Sequence, residues 1–136
     1  GIKGGGNGDL YIFVSIKNHS IFKRSEENLF YEFPISLTDA TLGTTVEVPT
    51  IDGGKAKTKI PAGTQTGKQF RLKDKGMPMM RNRNYGDLYI RVITEVPVSL
   101  SKEQKNLLVQ FKKLEDSKTN PTIKSFFEKA KRFWKN

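Results

Sequence analysis

The chain has 136 residues, of which 35% are hydrophobic, with no cysteine and a formal net charge of +10. That length suits one domain or two small ones, and the modest apolar content predicts several small cores in an elongated body. The lack of cysteine excludes disulfides, thiolate zinc sites and cysteine nucleophiles. No apolar run approaches the roughly 18–20 residues of a membrane span, and no signal peptide is visible.

The N-terminal part predicts strands joined by polar segments. The Gly-rich leader GIKGGGNG runs into a β-rich stretch over residues 9–16, and residues 17–28 are typical of a connector. Residues 29–35 then alternate in polarity. This alternation puts the following side chains on one face of a strand: Leu29, Tyr31, Phe33 and Ile35.

A short helix and three further strands follow. Ser36 can cap a single helical turn that ends at Gly43. Strands are predicted over TTVEVP, KAKTKI and KQFRLKD, with a hairpin turn at Asp52-Gly53 between the first two. The alternation in KAKTKI gathers three lysines on one face, which we interpret as a solvated edge that discourages aggregation: Lys55, Lys57 and Lys59.

A loop with a methionine cluster precedes DLYIRVITEV, which is predicted to be the longest strand. The cluster consists of Met77, Met79 and Met80. Flexible thioethers suit an adaptable binding surface. Packing of these side chains beneath the loop is the other interpretation, and the sequence leaves both open.

Two amphipathic helices are predicted after Pro97. Ser101 and Gln104 form an S-x-x-Q capping box for the first helix, and Pro121 suits the first turn of the second. Apolar residues recur at helical spacing in both. They are Leu107, Leu108, Phe111 and Leu114 in the first helix, and Ile123, Phe126, Phe127, Ala130, Phe133 and Trp134 in the second.

The positive charge is concentrated in the C-terminal part. Residues 1–54 hold 4 basic and 7 acidic side chains, whereas residues 55–136 hold 20 basic and 7 acidic ones. Such an excess is typical of proteins that bind nucleic acid, anionic membranes or acidic proteins. Lysine outnumbers arginine 18 to 6, although base readout favours arginine. Because of the basic excess, a basic nucleic-acid-binding module is the alternative function, and the low share of arginine counts against it.

One heptapeptide occurs almost twice. GDLYIFV covers residues 8–14 and GDLYIRV covers residues 86–92, and they differ only at Phe13 and Arg91. A Gly-rich loop precedes each copy. The repeat predicts two successive β units. The predicted domains are residues 1–26, the end of a first unit with its connector; residues 27–98, a complete second unit; and residues 99–136, a helical segment.

The segments together resemble the C-terminal region of the DnaJ family of J-domain co-chaperones. The resemblance is carried across essentially the whole chain by GDLYIFVSIKNHSIFKRSEENL, SLTDATLGTTVEVPTIDG, IPAGTQTGKQFRLKDKGMP and GDLYIRVITEVPVSLSKEQKNLL. The tail SFFEKAKRFW resembles a bacterial ending. The resemblance implies a mainly β fold with tandem β-sandwich units of the DnaJ C-terminal type, the first of them truncated, followed by C-terminal α-helices.

The resemblance also implies which activities to expect. In the family a J-domain stimulates the ATPase DnaK through a His-Pro-Asp motif, but His19, the sole histidine, is followed by Ser20 and Ile21. No cofactor is expected in this fragment, and zinc only in a cysteine-rich region that the sequence lacks. The resemblance implies a cytoplasmic fragment, without a membrane partner, that acts in protein folding and the stress response. We expect it to bind unfolded polypeptides, to form a homodimer and to deliver clients to a DnaK-type ATPase.

The family's peptide groove lies between the strand before the short helix and the strand after it. Transferred through the internal repeat, that position holds the predicted substrate-peptide contacts Tyr31, Phe33, Val46 and Val48. An open strand edge with apolar sockets binds varied peptides because main-chain hydrogen bonds do not depend on side chains. Alternating apolar residues in a sandwich are also typical of plain core, so both interpretations stay open.

The apolar stripe of the last helix predicts a dimer interface. Its aromatic side chains need a cover, which the domain's own sheet, the preceding helix or a second copy can supply. Exposure would forfeit ~1.5–3 kcal/mol for each side chain. An isologous dimer is a common solution and is implied by the resemblance. The predicted interface residues are Phe126, Phe127, Phe133 and Trp134.

An enzyme is not expected. His19 has no evident acidic partner in a second motif, and the side chains of the adjacent Glu26 and Glu27 diverge. No metal-ligand cluster stands out in the sequence. We therefore predict no catalytic and no metal-binding residues.

Overall fold

The computed structural model of the chain describes residues 21–80 and 84–135. The first copy of the repeat, His19 and the strand predicted over residues 9–16 lie outside the described residues. Contacts divide the chain into two units, Gly1–Pro97 and Val98–Asn136. The elements in chain order are β1 (Lys23–Ser25), β2 (Asn28–Ser36), α1 (Leu37–Leu42), β3 (Thr44–Pro49), β4 (Lys55–Ile60), β5 (Gln69–Leu72), β6 (Leu88–Glu95), α2 (Lys102–Leu114) and α3 (Pro121–Lys135).

The described residues of the first unit form a four-stranded sheet and a two-stranded sheet. In the larger sheet the strand order is β1-β2-β6-β5, with β2 and β6 parallel and the other pairs antiparallel. Strands β3 and β4 form the smaller sheet as an antiparallel hairpin. The predicted fold class, a mainly β body followed by α-helices, is confirmed.

The core lies where the apolar faces of the two sheets meet. Alternation within β2 is as predicted, since Leu29 and Ile35 are buried while Glu32 is exposed. Val48 of β3 packs in one buried cluster with Leu29, and Ile60 of β4 packs in a second with Ile35. The largest fully buried side chains are Leu29, Ile60, Leu88, Ile90, Val48 and Val92.

Two details of the strand prediction were wrong. Residues Lys23–Ser25, inside the predicted connector, form β1. Among the strands of the described residues, β2 is the longest with 9 residues, because pairing with β1 extends its start, whereas β6 has 8. Glu26, with φ 55°, turns the chain between β1 and β2. All three residues of β1 are exposed, so no alternation of polarity marks this strand in the sequence.

The predicted turns of this unit are observed. The side chain of Ser36 caps α1, with its Oγ accepting from the Asp39 N–H at 3.0 Å, and the helix ends at Gly43 with φ 84°. In the turn between β3 and β4, the Thr50 N–H donates to the Gly54 carbonyl at 3.0 Å. These features were predictable because all the groups involved lie within a few residues of one another.

The second copy of the repeat begins at a tight crossing, where backbone segments pass close to one another. A Cβ atom at Gly86 would lie 2.1 Å from the Glu27 carbonyl oxygen, and one at Gly76 would lie 2.5 Å from the same oxygen. That oxygen accepts a hydrogen bond from the Met77 N–H at 2.8 Å. Glycine is required at position 86 because the chain entering β2 occupies the space of any side chain.

Asp87 follows Gly86 in the second copy of the repeat and, through its side chain and its N–H, is hydrogen-bonded to three other residues. Its Oδ1 accepts from the Asp74 N–H at 2.9 Å and its Oδ2 from Arg71 Nε at 2.7 Å, while its own N–H donates to Asn28 Oδ1 at 2.8 Å. The hydrogen bond from the Asp74 N–H is the main cause that holds the pKa of this carboxyl below its ordinary value, and the Arg71 guanidinium lowers it further. The Gly-Asp pair therefore anchors the start of β6 against β2 and the end of β5.

The second unit begins with the predicted capping box. The Gln104 N–H donates to Ser101 Oγ at 3.1 Å, and the Ser101 N–H donates to Gln104 Oε1 at 2.9 Å. Between the helices, the Asp116 carboxylate accepts from the Thr119 N–H at 3.1 Å, and this bond is the main cause of a lowered Asp116 pKa. Helix α3 starts at Pro121, as predicted. Over the described part of the chain, no helix is long and apolar enough to cross a membrane.

Candidate binding surfaces

Two open strand edges flank the short helix α1. Within residues 21–80 and 84–135, β1 pairs only with positions 28–30 of β2, and β3 pairs only with β4. The rest of β2 and the whole of β3 therefore each have one edge without a strand partner in that part of the chain. The four predicted groove residues belong to these two strands, β2 and β3.

The open edge of β2 offers a short set of hydrogen-bonding groups. The Leu29 N–H donates to the Asp87 carbonyl on the β6 side at 2.9 Å. Because backbone groups alternate in direction along a strand, Glu32, Pro34 and Ser36 turn theirs towards the open edge. Pro34 has no N–H, so the N–H groups on this edge are those of Glu32 and Ser36. An extended peptide can add there, while Pro34 hinders continuous strand-on-strand aggregation.

The four predicted groove residues fall into two pairs. Tyr31 and Val48 are buried in the core, with 5% and 0% of their surface exposed. Phe33 and Val46 are half-buried and pack against both core clusters. Of the four, Phe33 and Val46 are therefore accessible to a peptide without opening of the core. Peptide contact by these residues stays a prediction.

Phe22 adds to this apolar surface, although the sequence interpretation assigned it to the connector. Lys23 pairs with Phe30, so position 22 lies beside Tyr31. The Phe22 and Tyr31 rings meet edge to face, with centroids 5.0 Å apart and planes at 80°. The sequence contained one signal for this contribution of Phe22 to the apolar surface: Ile21 and Phe22 are two adjacent apolar residues in an otherwise polar segment.

The Tyr31 hydroxyl links the two sheets by a hydrogen bond. It donates to the Pro49 carbonyl at 2.7 Å, linking β2 to the end of β3. Burial raises the pKa of Tyr31 to about 12. The folded state therefore favours the neutral phenol, and this contribution to stability is complete below the ordinary pKa of about 10. It is lost as the pH rises from there through about 12.

Tyr31→Phe is expected to lower the free energy of unfolding by about 1–2 kcal/mol, because the Pro49 carbonyl loses its donor. Urea unfolding at neutral pH measures this loss. An alkaline absorbance titration should show one phenol that ionises near pH 12 in the unsubstituted chain and is missing in the variant. If the missing phenol instead titrates at about pH 10, the hydroxyl is not buried.

The methionine loop separates into buried and exposed members. Met77 is 7% exposed and belongs to the core cluster around Leu29. Met79 is half-buried, whereas Met80 is 98% exposed. Packing beneath the loop is thus the correct interpretation for Met77, and Met80 is the member free to extend a binding surface.

The apolar stripe of α3 is exposed in this structure. Phe133 is 77% exposed and Trp134 is 68% exposed, and Phe126 and Phe127 are each about half exposed or more. The rings of Phe126 and Phe127 touch each other edge to face, with centroids 5.1 Å apart. A contiguous patch of this kind is typical of an interaction surface. Its pairing with a second copy stays a prediction.

Comparison with known proteins agrees with this arrangement of strands and helices. The profile of the DnaJ C terminal domain matches residues 1–97. The chain belongs to the DnaJ C-terminal domain family. A second profile, the Chaperone protein DnaJ C-terminal region, matches residues 103–136.

Three bacterial relatives of this DnaJ C-terminal domain carry the name Chaperone protein DnaJ. The one from Pelagibacter ubique is 68% identical over 136 residues, which is 100% of this chain and 36% of the relative. Those from Xanthobacter autotrophicus and Rhodopseudomonas palustris are 53% and 50% identical over 134 residues, which is 98% of this chain and 35% of each relative. The chain thus spans about a third of the length of these curated relatives. The resemblance to DnaJ is confirmed, and the relatives are named as chaperones, with no support for the nucleic-acid alternative.

Proposed function

We propose that this DnaJ C-terminal domain binds non-native polypeptides in extended conformation along the open edges of β2 and β3. The supporting observation is that half-buried Phe33 and Val46 lie beside these two edges. The edges supply main-chain hydrogen bonds that any sequence can make, and the apolar side chains hold alternate side chains of the client. Folded proteins rarely present an exposed strand with free apolar side chains, so the site selects unfolded ones.

Two copies of the chain associate, in this proposal, through the stripe of α3 that holds Phe126, Phe127, Phe133 and Trp134. The support is the exposure of these four aromatic side chains and the isologous symmetry that is common in homodimers. A dimer carries two peptide grooves. When both bind one client, the second contact is intramolecular, and avidity raises the affinity above that of a single groove.

The wider role follows from the family. We propose that the chain acts in the bacterial cytoplasm, in protein folding and the stress response, as the part of a DnaJ that holds clients for a DnaK-type ATPase. It binds them without catalysis and without a cofactor in these 136 residues. In the family, ATPase stimulation belongs to the J-domain and zinc belongs to a cysteine-rich region.

The groove is tested with Phe33→Ala and a matched control, Phe70→Ala. Both phenylalanines are half-buried and pack against the same two core clusters, so we expect similar losses of stability, up to about 3 kcal/mol. Phe70 lies on β5, which β6 separates from β2. Fluorescence anisotropy with a labelled, reduced and unfolded polypeptide should show affinity roughly ten-fold weaker for Phe33→Ala and nearly unchanged for Phe70→Ala.

Two outcomes would count against the groove. Equal losses of affinity in both variants would show that Phe33 acts through the core. A steep fall of affinity between low and moderate salt would indicate binding to a polyanion, since apolar contacts depend little on salt whereas phosphate contacts release counterions.

A further inference from the structure

Helix α3 carries lysines along both borders of its apolar stripe. At 3.6 residues per turn, Lys124 and Lys131 lie on one border of the stripe, and Lys129 lies on the other. Glu128, the one acidic residue of the helix, lies on the opposite face. The helix therefore presents an apolar face with positive charge on both sides, and its single negative charge is turned away from that face.

In the described part of the chain, the cations of α3 have no acidic partner. The ion pairs among the described residues join Arg71 to Asp87 and Arg91 to Glu32, and both lie in the first unit. Helix α3 holds 5 basic side chains and 1 acidic side chain. A second copy of α3 would bring more positive charge to the stripe, whereas an anionic surface brings the opposite charge.

The apolar side chains of the stripe suit the boundary between lipid and water. Trp134 is 68% exposed, and Ile123 continues the stripe to the first turn of the helix with 57% exposure. Tryptophan is enriched at membrane–water interfaces, because its ring is apolar while its N–H can stay hydrated. A lysine at the border can lay its four-carbon stem along apolar surface while its ammonium reaches the phosphate of a lipid headgroup.

The length of α3 suits a helix that lies on a membrane rather than one that crosses it. Its 15 residues span about 22 Å at 1.5 Å per residue, whereas the hydrocarbon core of a bilayer is about 30 Å thick. A helix with one apolar face and a basic polar face lies in the plane of the interface, with its apolar side chains below the headgroups.

We propose that α3 binds the surface of membranes that contain anionic phospholipids. The aromatic stripe enters the layer below the headgroups, and Lys124, Lys129 and Lys131 bind the lipid phosphates. A bilayer supplies both negative charge for the borders and an apolar layer for the stripe, whereas a nucleic acid supplies the charge alone. The resemblance implies no membrane partner, and the lysines on both sides of the stripe are the observation that argues for one.

A membrane and a second copy of the chain compete for the same stripe, since one helix cannot bury its rings against both. The two partners respond differently to charge. Removing lysines at the borders weakens binding to an anionic membrane, but it leaves a dimer of two basic helices intact or strengthens it. Membrane binding and dimerisation can therefore fail separately, and the peptide groove of the first unit takes part in neither.

Trp134 is the sole tryptophan of the chain and reports directly on the stripe. The full chain is titrated with vesicles of phosphatidylcholine, with and without about one third phosphatidylglycerol as the anionic lipid. We expect a shift of the Trp134 emission to shorter wavelength with the anionic vesicles alone. Vesicles with brominated acyl chains should then quench this emission, because the ring lies in the apolar layer.

Two doubly substituted forms of the full chain separate the borders of the stripe from net charge. Lys124→Gln with Lys129→Gln removes one lysine from each border, and Lys57→Gln with Lys59→Gln removes the same charge from the exposed face of β4. We expect roughly ten-fold weaker binding to anionic vesicles in the first form and less than about two-fold in the second. Circular dichroism checks that each form is folded, and sedimentation without vesicles measures the dimer independently.

The proposal is wrong if the chain binds neutral and anionic vesicles equally, or binds neither. Equal weakening in both double variants would mean attraction by net charge alone. Vesicle binding without quenching by brominated lipid would place Trp134 outside the bilayer, which also contradicts the proposal. Tighter binding of oligothymidine than of anionic vesicles, lost in the Lys124 and Lys129 variant, would make α3 a nucleic-acid site instead.

Discussion

Replacing Gly86 by alanine is expected to unfold the β unit or to lower its free energy of unfolding by more than about 3 kcal/mol. The new Cβ would lie 2.1 Å from the Glu27 carbonyl oxygen and 2.5 Å from its carbonyl carbon. The Glu27 carbonyl is held in place by the Met77 N–H, and Gly86 itself donates to the Met77 carbonyl at 2.9 Å. A clash between two hydrogen-bonded backbones has less room to relax than a crowded core side chain.

Urea unfolding followed by circular dichroism measures this loss, and Gly63→Ala is its control. Gly63 has a φ of +79°, and a Cβ there would meet no atom within 4 Å. Its cost is conformational alone, about 1–2 kcal/mol. Similar small losses of unfolding free energy at both positions would show that the backbone around Gly86 can move to accommodate a Cβ atom. Close approach would then fail to explain why the repeat begins with glycine.

The sequence revealed the repeat but not the contacts that make it necessary. The pattern in residues 86–92 predicts a strand that closes a unit, and β6 is that strand. Gly86 and Asp87, however, depend on Glu27 and Asn28, which lie far away along the chain. Periodicity and turn chemistry describe neighbours in the sequence, so this crossing could not be predicted from them.

The same limit applies to the pairing of strands. The capping box at Ser101 was predictable because its two hydrogen bonds join residues three apart. The parallel pairing of β2 with β6 joins Glu32 to Arg91, which are 59 residues apart. No local signal specifies that partner.

Alternation also fixes the face of a strand but not the depth of its side chains. Tyr31 and Phe33 share a face, yet Tyr31 is buried and Phe33 is half-buried. The difference arises because Phe22 and the Pro49 carbonyl enclose Tyr31. The sequence alone therefore could not show which of the four predicted contacts are core residues and which are accessible. The accessible pair, Phe33 and Val46, was identified only from the packing of β2 and β3 in the structure.

The single difference between the two copies of the repeat falls where the geometry of β6 permits it. Leu88, Ile90 and Val92 are each 0% exposed, and the first copy has the same residue types at the corresponding positions. Arg91 points to the outer face, with 54% of its side chain exposed, and Phe13 occupies its place in the first copy. The core-facing positions of β6 are thus the ones at which the two copies of the repeat agree, and the position at which they differ lies on the outer face of β6.

Phe126→Ser combined with Phe133→Ser is expected to convert the proposed dimer, of twice 15.4 kDa, to a monomer. The two side chains are 63% and 77% exposed, so an isologous interface over α3 would bury four such rings. Even about 1 kcal/mol for each partly buried ring gives roughly 4 kcal/mol, or a dissociation constant about a thousand-fold higher. Sedimentation equilibrium over a range of concentrations measures this change.

The matched control is Lys124→Ser combined with Lys131→Ser. These residues have the same seven-residue spacing on the same helix but belong to its basic face. Removing them should leave the dimer intact, or strengthen it by lowering the repulsion between two basic helical units. A chain that ends at Glu115 lacks the whole stripe and should also be monomeric. If that shortened chain still sediments as a dimer, the interface lies elsewhere and the stripe of α3 must bind a different partner.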